Sequence, residues 1–259
     1  MMIEALKQTY WARREKFIAW RRRYPLEEIR RLASLRLRAL LRPIVEIEGV
    51  RIYRGSGLTV PVLEALDERR YEKPETRITL HALRSGDTVL ELGTGLGFIS
   101  SLCARKVGDG NVHSFEANPA LERIIKRNYW LNRVSPSLNI CLLGEENGSV
   151  TFYVMKNFWS SSTIQGYRAK PIQVPTRRFN DELERLRPNF LIIDIEGGEH
   201  DLIHYARLDG VEKVCIELHP HLLGEEAVAE VEAFFLGQGF QEDLSVSDPD
   251  HKLYLRDPK

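Results

Sequence analysis

Residues 88–97 of this 259-residue chain read Thr-Val-Leu-Glu-Leu-Gly-Thr-Gly-Leu-Gly. A short apolar run, typical of a buried strand, ends here in a turn that contains Gly93, Gly95 and Gly97. Because glycine lacks a Cβ, the backbone of such a turn can adopt positive φ and lie directly against a ligand. A second apolar run further along ends in Glu116. Together these features indicate a nucleotide-like cofactor held at the edge of a parallel sheet.

The residues around the turn favour one kind of cofactor. Apolar residues recur at helical spacing from Phe98, so a helix with free N–H groups at its start follows the turn. Dinucleotide enzymes use G-x-G-x-x-G, but Phe98 stands where the last glycine would be. Glu91 would repel a phosphate and suits a cationic amine, whereas Glu116 can accept hydrogen bonds from a ribose diol. This combination describes S-adenosylmethionine better than NAD.

Apolar runs and helical periodicities alternate from Glu75 onward. The alternation indicates a doubly wound, seven-stranded, mostly parallel α/β sheet with right-handed crossovers. The last two strands follow each other without a helix, so we expect the final one to be antiparallel. The pattern predicts strands at 88–92, 111–116, 138–143, 190–195, 213–218, 240–246 and 252–255, helices at 97–107, 119–132, 199–206 and 225–237, and an extra β segment at Ser149–Met155.

The first 42 residues differ in charge from the rest of the chain. They hold twelve Lys/Arg and four Asp/Glu, although the whole chain has a formal net charge of zero. Apolar residues at three- and four-residue steps predict an amphipathic helical extension that breaks near Pro25 and ends at Pro43. This extension suits a lid or a homo-oligomer contact, an anionic membrane or glycolipid surface, or a nucleic acid. In the connector at 44–75, we expect a short strand at Val50–Tyr53 and a helix at Val62–Arg69.

Several classes of protein are disfavoured by composition. The three cysteines show no metal-ligand spacing and lie in apolar contexts, so we interpret them as buried thiols in a reducing compartment. No apolar run approaches the ~20 residues of a transmembrane helix, and the N-terminal stretch has no apolar signal core. We therefore expect a cytoplasmic protein without a transmembrane segment.

Four short stretches together resemble the FkbM-type class I methyltransferases: Glu91-Leu-Gly-Thr-Gly-Leu-Gly97, Phe115-Glu116-Ala-Asn-Pro119, Leu191-Ile-Ile-Asp-Ile-Glu-Gly197 and Ile216-Glu-Leu-His-Pro220. The resemblance covers roughly residues 77–245. It implies a Rossmann-like sheet and S-adenosylmethionine-dependent methylation, most often of a hydroxyl on a small molecule or glycan. We accordingly divide the chain into an extension and connector at 1–75 and a methyltransferase domain at 76–259. The family often has Glu-Pro-Asn-Pro where this chain has Glu-Ala-Asn-Pro, and the basic segment has no counterpart in the shared core.

A group of acids and histidines is expected on the acceptor side. Asp194 and Glu196 are two residues apart at a strand end and should share a face of the sheet. Glu217, His219 and His221 repeat this spacing at the end of the next strand, so both sets should meet at the carboxyl edge. A carboxylate or histidine there can act as general base, or a divalent metal can lower the pKa of the acceptor hydroxyl. We assign Asp194, Glu196 and His219 as the catalytic residues.

The remaining assignments concern the cofactor and the walls of the pocket. Gly144 and Glu145 follow the third strand, where an adenine commonly packs, and the polar, aromatic segment Asn157–Thr163 is a candidate lining of the acceptor pocket. Two other functions stay open, a non-catalytic module that binds the cofactor and an NAD-linked oxidoreductase, the latter opposed by Phe98. The predicted cofactor-binding residues are Glu91, Gly93, Thr94, Gly95, Gly97, Glu116, Ala117, Asn118, Gly144 and Glu145.

Overall fold

The computed structural model describes residues 26–55, 57–154 and 170–257. The first elements are helix α1 (Leu26–Leu41), strands β1 (Ile44–Ile47) and β2 (Val50–Tyr53), and helices α2 (Val60–Asp67) and α3 (Lys73–Ala82). The elements that follow are β3 (Val89–Leu92), α4 (Phe98–Val107), β4 (Val112–Glu116), α5 (Glu122–Asn132), β5 (Ser137–Ile140), β6 (Leu142–Gly144), β7 (Gly148–Val154), β8 (Lys170–Arg178), α6 (Phe179–Leu186), β9 (Phe190–Ile193), α7 (Glu199–Ile203), β10 (Lys213–Glu217), α8 (Pro220–Leu223), α9 (Glu225–Gly237), β11 (Gln241–Glu242) and β12 (His251–Leu255).

A seven-stranded sheet in the order β11-β12-β10-β9-β3-β4-β5 confirms the predicted doubly wound α/β fold. The strands from β5 to β10 in this order pair in parallel, and β12 pairs antiparallel with β10, as expected. Strands β3 and β9 are neighbours, and the chain winds away from them in opposite directions. The carboxyl ends of these two strands therefore form the crevice where open α/β sheets bind ligands.

Both faces of the sheet are covered, which explains the continuous apolar strands. In β9, Phe190 and Ile192 face a core formed with α2, α3 and α4. Leu191 and Ile193 face the opposite core, formed with α6, α7 and α9. All four side chains are buried, as is typical of parallel strands with helices on both sides.

Strands β6, β7 and β8 form a small second sheet in the order β6-β8-β7, and here the predicted strand at 138–143 is wrong. That stretch divides into β5, which joins the main sheet, and β6, which joins the small one. The extra β segment predicted from Ser149 is β7, whereas β8 escaped prediction because it contains Pro171 and Pro175. Among the described strands, β6 pairs only with residues 176–178 of β8, so at both prolines one edge of β8 has no partner strand.

The connector contains more regular structure than its sequence suggested. Strand β1 was not predicted, although it forms a hairpin with β2 through a two-residue turn with Glu48 at φ 47° and Gly49 at φ 75°. Helix α3 was missed as well, and it crosses the proposed boundary at residue 75. Buried side chains of β2, α2 and α3 belong to the same core as the sheet. The division into an extension at 1–75 and a domain at 76–259 stays a prediction.

Other elements differ from prediction mainly in length. The strand expected at 240–246 is reduced to the two residues of β11, and the helix expected at 199–206 ends at Ile203. The helix expected at 119–132 begins with a short 3-10 turn before α5. All three cysteines are buried, as predicted. Of the basic extension, residues 1–25 lie outside the described residues, and no described helix is long and apolar enough to cross a membrane.

Replacing Gly93 by alanine should destabilise the fold strongly. Gly93 has φ 82°, and a Cβ there would overlap the backbone carbonyl oxygen of Asp194. Positive φ alone costs about 1–2 kcal/mol for a residue with a Cβ, so we expect a loss of more than about 2 kcal/mol in unfolding free energy. Urea denaturation measures it, with Gly110→Ala as control because nothing lies within 4 Å of a Cβ at that position. Equal midpoints for the two variants would contradict the contact between Gly93 and Asp194.

Candidate functional site

Two of the three glycines in the turn after β3 are required by packing. Gly93 lies against the carbonyl oxygen of Asp194, where the chain leaves β9. Gly97 has φ 74°, and a Cβ there would lie 2.8 Å from the ring of Tyr129 on α5. These glycines therefore bring β3 close to β9 and α4 close to α5. Because a side chain at either position would overlap a neighbouring residue, packing alone accounts for these two glycines without any ligand.

Gly95 has a different environment. A Cβ at this position, with φ 55°, would lie 3.0 Å from the Tyr71 hydroxyl and 3.2 Å from Glu72 Oε1. All three residues line a cavity at the carboxyl ends of the central strands. The bare backbone of Gly95 thus faces a cavity that a ligand can enter.

The carboxylate of Glu116 holds the turn in place. Its Oε2 accepts hydrogen bonds from the backbone N–H groups of Gly95 at 3.0 Å and Thr94 at 3.2 Å. Its Oε1 accepts one from the N–H of Asn118 at 2.7 Å. Burial raises the pKa of Glu116 to about 7, although these three hydrogen bonds lower it. Glu116 and its neighbour Ala117 both line the cavity, so the predicted ribose acceptor also organises the loop around it.

Glu91 lies beneath the turn and does not line the cavity. Its side chain is buried, with Oε2 lacking a hydrogen-bond partner among the described residues. Burial raises the pKa of Glu91 to about 7, although the hydroxyl groups of Ser114, Ser100 and Thr94 lower it. The predicted contact of Glu91 with a cofactor ammonium would therefore require an intervening water.

The cavity has a volume of about 350 Å³, within the range of small-molecule sites. The segment Cys141–Leu143 lines it, whereas Gly144 and the exposed Glu145, predicted to lie beside an adenine, do not. The segment Asn157–Thr163 lies outside the described residues. Acidic side chains dominate the polar part of the lining, namely those of Glu72, Glu75, Glu116, Asp194, Glu196, Asp201 and Glu217.

The structure brings the predicted catalytic residues together around His219. This buried imidazole has its Nε2 3.5 Å from Glu196 Oε2, 3.6 Å from Glu217 Oε1 and 3.8 Å from Asp194 Oδ1. Asp194 and Glu196 lie beyond the end of β9, and Glu196 has φ 49°, which is uncommon for a residue with a long side chain. His221, in contrast, has an exposed side chain.

A further carboxylate, Glu199, fixes the orientation of His219. Its Oε1 lies 2.6 Å from His219 Nδ1 and also accepts a hydrogen bond from the N–H of Gly197. Burial lowers the pKa of His219, but the hydrogen bond to Glu199 and the surrounding carboxylates outweigh burial and leave it raised. Glu199 was not predicted as a site residue, because its contact with His219 exists only between α7 and the segment after β10.

Burial and mutual repulsion raise the pKa of other acids in the cavity. The pKa of Asp194 lies well above its ordinary value because of burial and then because of Glu217 and Glu196. Burial raises the pKa of Glu196 to about 7, an effect that His219 reduces. A site with so many carboxyl groups favours ligands that carry positive charge.

Several lining residues, among them Tyr71, Glu72 and Glu75, and one nearby histidine, His251, were not predicted from the sequence. Tyr71 and Glu72 immediately precede α3, Glu75 lies in its first turn, and His251 comes from β12. His251 Nε2 lies 3.4 Å from Glu75 Oε1 and 3.6 Å from Glu217 Oε1. No motif marks these residues, since they reach the site only through the packing of α3 and β12 against β10.

Comparison with known proteins places these observations in a family context. A sequence profile of the methyltransferase FkbM domain matches residues 91–242, more than half of the chain. No curated protein matches the chain. The solved structures that are similar include precorrin-6y C5,15-methyltransferase from Geobacter metallireducens, with 11% identity, 66% of this chain and 73% of that chain covered, and a TM-score of 0.40. An O-methyltransferase from Bacillus cereus in complex with SAH is also similar, with 12% identity, 71% of this chain and 80% of that chain covered, and a TM-score of 0.40. The fibrillarin pre-rRNA processing protein of Methanococcus jannaschii is similar with 12% identity, 68% of this chain and 69% of that chain covered, and a TM-score of 0.41.

The stability of the ligand-free protein should fall as pH rises from about 5 to about 7.5. Glu91 and Glu116 have folded-state pKa values of about 7 against an ordinary value of 4.5, so in this window the folded state retains protons that the unfolded state has lost. Urea midpoints at a series of pH values measure the trend. Glu91→Gln should flatten it, whereas Glu226→Gln on the exposed surface of α9 should not. A stability that increases with pH in wild type would contradict the burial of these charges.

Proposed function

This chain belongs to the methyltransferase FkbM domain family, and we propose that it transfers the methyl group of S-adenosylmethionine to a hydroxyl oxygen of a small molecule or glycan. One observation carries the proposal. A single cavity is lined both by the glycine turn, through Gly93 and Gly95, and by the carboxylates of Asp194, Glu196 and Glu217. Cofactor and acceptor can therefore occupy adjoining parts of the same space.

The residues of the cavity fit S-adenosylmethionine chemically. The backbone at Gly95 is open to the cavity, and Glu116 beside it is acidic. Three N–H groups bond the Glu116 carboxylate, which has about four acceptor positions, so capacity remains for a ribose hydroxyl. The acidic lining suits the sulfonium and ammonium charges, and it disfavours a pyrophosphate, which argues against an NAD-linked function.

When bound, S-adenosylmethionine supplies an electrophilic methyl group on a positively charged sulfur. The protein must therefore align the acceptor oxygen with this methyl group and remove the hydroxyl proton. Alignment of two reactants can contribute several kcal/mol to the lowering of the barrier. We assign Asp194 and Glu217 to the orientation of the acceptor, and Glu196 to the removal of its proton.

Glu196 is the preferred base because it lines the cavity and its carboxylate lies beside His219 Nε2 at 3.5 Å. In the proposed step, the carboxylate of Glu196 takes the hydroxyl proton as the acceptor oxygen forms its bond to the methyl carbon. The bond from that carbon to sulfur breaks and leaves a neutral thioether. Before this step, His219, which is held by Glu199, favours the ionised carboxylate of Glu196 because it lowers the pKa of that group.

An oxygen acceptor is favoured over the amino group of a nucleic-acid base. The segment after β9 reads Asp-Ile-Glu-Gly, and it is not an Asn/Asp-Pro-Pro-Tyr tetrapeptide of the kind used for base amino methylation. A screen of hydroxylated metabolites and oligosaccharides with isotope-labelled methyl donor tests the proposal directly. A folded protein that binds neither S-adenosylmethionine nor S-adenosylhomocysteine at millimolar concentration would refute it.

Glu116→Ala should weaken the binding of S-adenosylhomocysteine by at least tenfold. Hydrogen bonds to a charged group contribute roughly 1.5–3 kcal/mol each, and this variant also leaves three backbone N–H groups of the turn without their acceptor. Isothermal titration calorimetry gives the affinity, with Glu184→Ala on the exposed surface of α6 as control.

Gly95→Asp should abolish binding while the fold persists, because aspartate tolerates positive φ better than most residues. Unchanged affinity in both variants would exclude this turn from the cofactor site.

Glu196→Gln should reduce kcat by roughly 10²–10⁴-fold once an acceptor is identified, because the amide cannot take the proton. The affinity for S-adenosylhomocysteine should stay within about twofold of wild type, since Glu196 is assigned to the acceptor. Rates from labelled methyl transfer and calorimetric affinities test both expectations. Full activity in Glu196→Gln would remove Glu196 from the proton transfer. Glu184→Gln serves as the matched control.

A further inference from the structure

Three donor atoms converge at the carboxyl ends of β9 and β10. Asp194, Glu217 and His219 each offer one metal-ligating atom, and these atoms all lie within 4.8 Å of one another. His219 Nε2 is 3.6 Å from Glu217 Oε1 and 3.8 Å from Asp194 Oδ1, which is too long for hydrogen bonds. Ligand atoms at roughly 2.1 Å from one ion are themselves roughly 3–3.5 Å apart. The three atoms are therefore spaced for a cation between them after only small side-chain movements.

The imidazole of His219 is already oriented as a metal ligand. Its Nδ1 lies 2.6 Å from Glu199 Oε1, so this nitrogen carries the proton and donates to the carboxylate. The other nitrogen, Nε2, then presents its lone pair toward Asp194 and Glu217. Metal-binding histidines almost always donate their second ring N–H to a carboxylate, carbonyl or water in this manner. Glu199 is fully buried, and His219 is only 5% exposed, so the pair is rigidly placed.

Three buried oxygen atoms in or beside this group lack hydrogen-bond partners among the described residues. One is Oδ1 of Asp194, which belongs to the group itself, and the others are Oε2 of Glu75 and Oε2 of Glu199. Glu75 is 7% exposed and lines the same cavity. Leaving a buried acceptor unpaired costs about 1–3 kcal/mol, and more for a charged group. A bound cation would satisfy the Asp194 oxygen directly.

The charge of the surroundings also favours a cation. Glu72, Glu75, Asp194, Glu196 and Glu217 line the cavity. Arg70 lines it too, but its guanidinium pairs with Glu68 at 2.5 Å. His251, which lies against Glu75 and Glu217, pairs with Asp248 at 2.8 Å through its Nδ1. The acids around His219 are thus only partly compensated by basic groups of the described chain.

We propose that Asp194, Glu217 and His219 bind a divalent first-row transition metal ion, with Glu199 positioning His219. A mixed set of imidazole nitrogen and carboxylate oxygens suits ions such as Mn²⁺ or Zn²⁺. The proposal deepens the proposed methyl transfer and rests on it for its purpose: the ion binds the acceptor hydroxyl and lowers its pKa, while Glu196 stays free to take the proton. A second group, Glu75, Glu217 and His251, has similar spacing and shares Glu217 with the first. The first group is preferred because it includes Asp194, whose backbone lies against Gly93 of the glycine turn.

Binding of Mn²⁺ to the metal-free full chain, followed by electron paramagnetic resonance, tests the proposal. We expect one Mn²⁺ per chain and an increase in Tm on binding. Asp194→Asn and His219→Ala should each weaken Mn²⁺ binding at least tenfold, and Glu199→Gln should weaken it roughly 10–100-fold. His251→Ala and the surface variant His81→Ala should bind as wild type does. Asparagine has nearly the same shape as aspartate, so Asp194→Asn should fold normally. Thermal unfolding without metal checks that every variant is folded.

Titration of S-adenosylhomocysteine into the same proteins separates this proposal from the proposed function. A chain that binds S-adenosylhomocysteine but shows no saturable Mn²⁺ or Zn²⁺ binding below millimolar concentration overturns the metal site and leaves the methyltransferase proposal standing. A chain that binds Mn²⁺ but no S-adenosylhomocysteine overturns the methyltransferase proposal and leaves the metal site standing. Loss of Mn²⁺ binding in His251→Ala, with binding retained in His219→Ala, would also overturn the assignment, because it would place the ion in the second group.

Discussion

The close approach of Gly93 to the carbonyl oxygen of Asp194 is the constraint on which the site depends. It brings the end of β3, where the glycine turn begins, into contact with the first residue after β9. Strands β3 and β9 are the pair from which the chain winds in opposite directions, so this contact lies at the opening between the two halves of the sheet. A turn suited to a cofactor and a group of acids suited to an acceptor consequently share one cavity.

Charge is arranged differently at the two ends of the sheet. At the amino end, Lys213 Nζ lies 2.6 Å from both carboxylate oxygens of Asp87, and each buried charge has its partner. At the carboxyl end, the acids outnumber the basic groups, and the carboxyl groups raise one another's pKa. Uncompensated buried acids cost stability, and perturbed groups of this kind cluster at functional sites. The positive φ values of Glu72 and Glu196, both in the cavity lining, fall in the same region.

Much of the fold can be predicted from local patterns in the sequence, namely apolar runs and helical periodicities. Continuous apolar runs predicted the central parallel strands, because such strands are buried on both faces and need no alternation. The failures have equally local causes. Strand β8 was not predicted because it contains two prolines, which are uncommon inside strands. The hairpin of β1 and β2 was not predicted because its strands are short and only a Glu-Gly turn marks it in the sequence. The stretch at 138–143 looks like one strand, although Cys141 separates two strands that belong to different sheets.

The sequence by itself determined most of the alternation of strands and helices along the main sheet, the position of the glycine turn and the appearance of acids at the ends of β4, β9 and β10. These features depend on neighbours within a few residues, which periodicity and spacing report. Only the tertiary structure decided that Glu199 holds His219, that Glu72 and Glu75 enter the cavity, and that Glu91 lies beneath the turn. The first two depend on residues far apart in the chain, which no local pattern connects, and the third depends on how the turn folds over the end of β3.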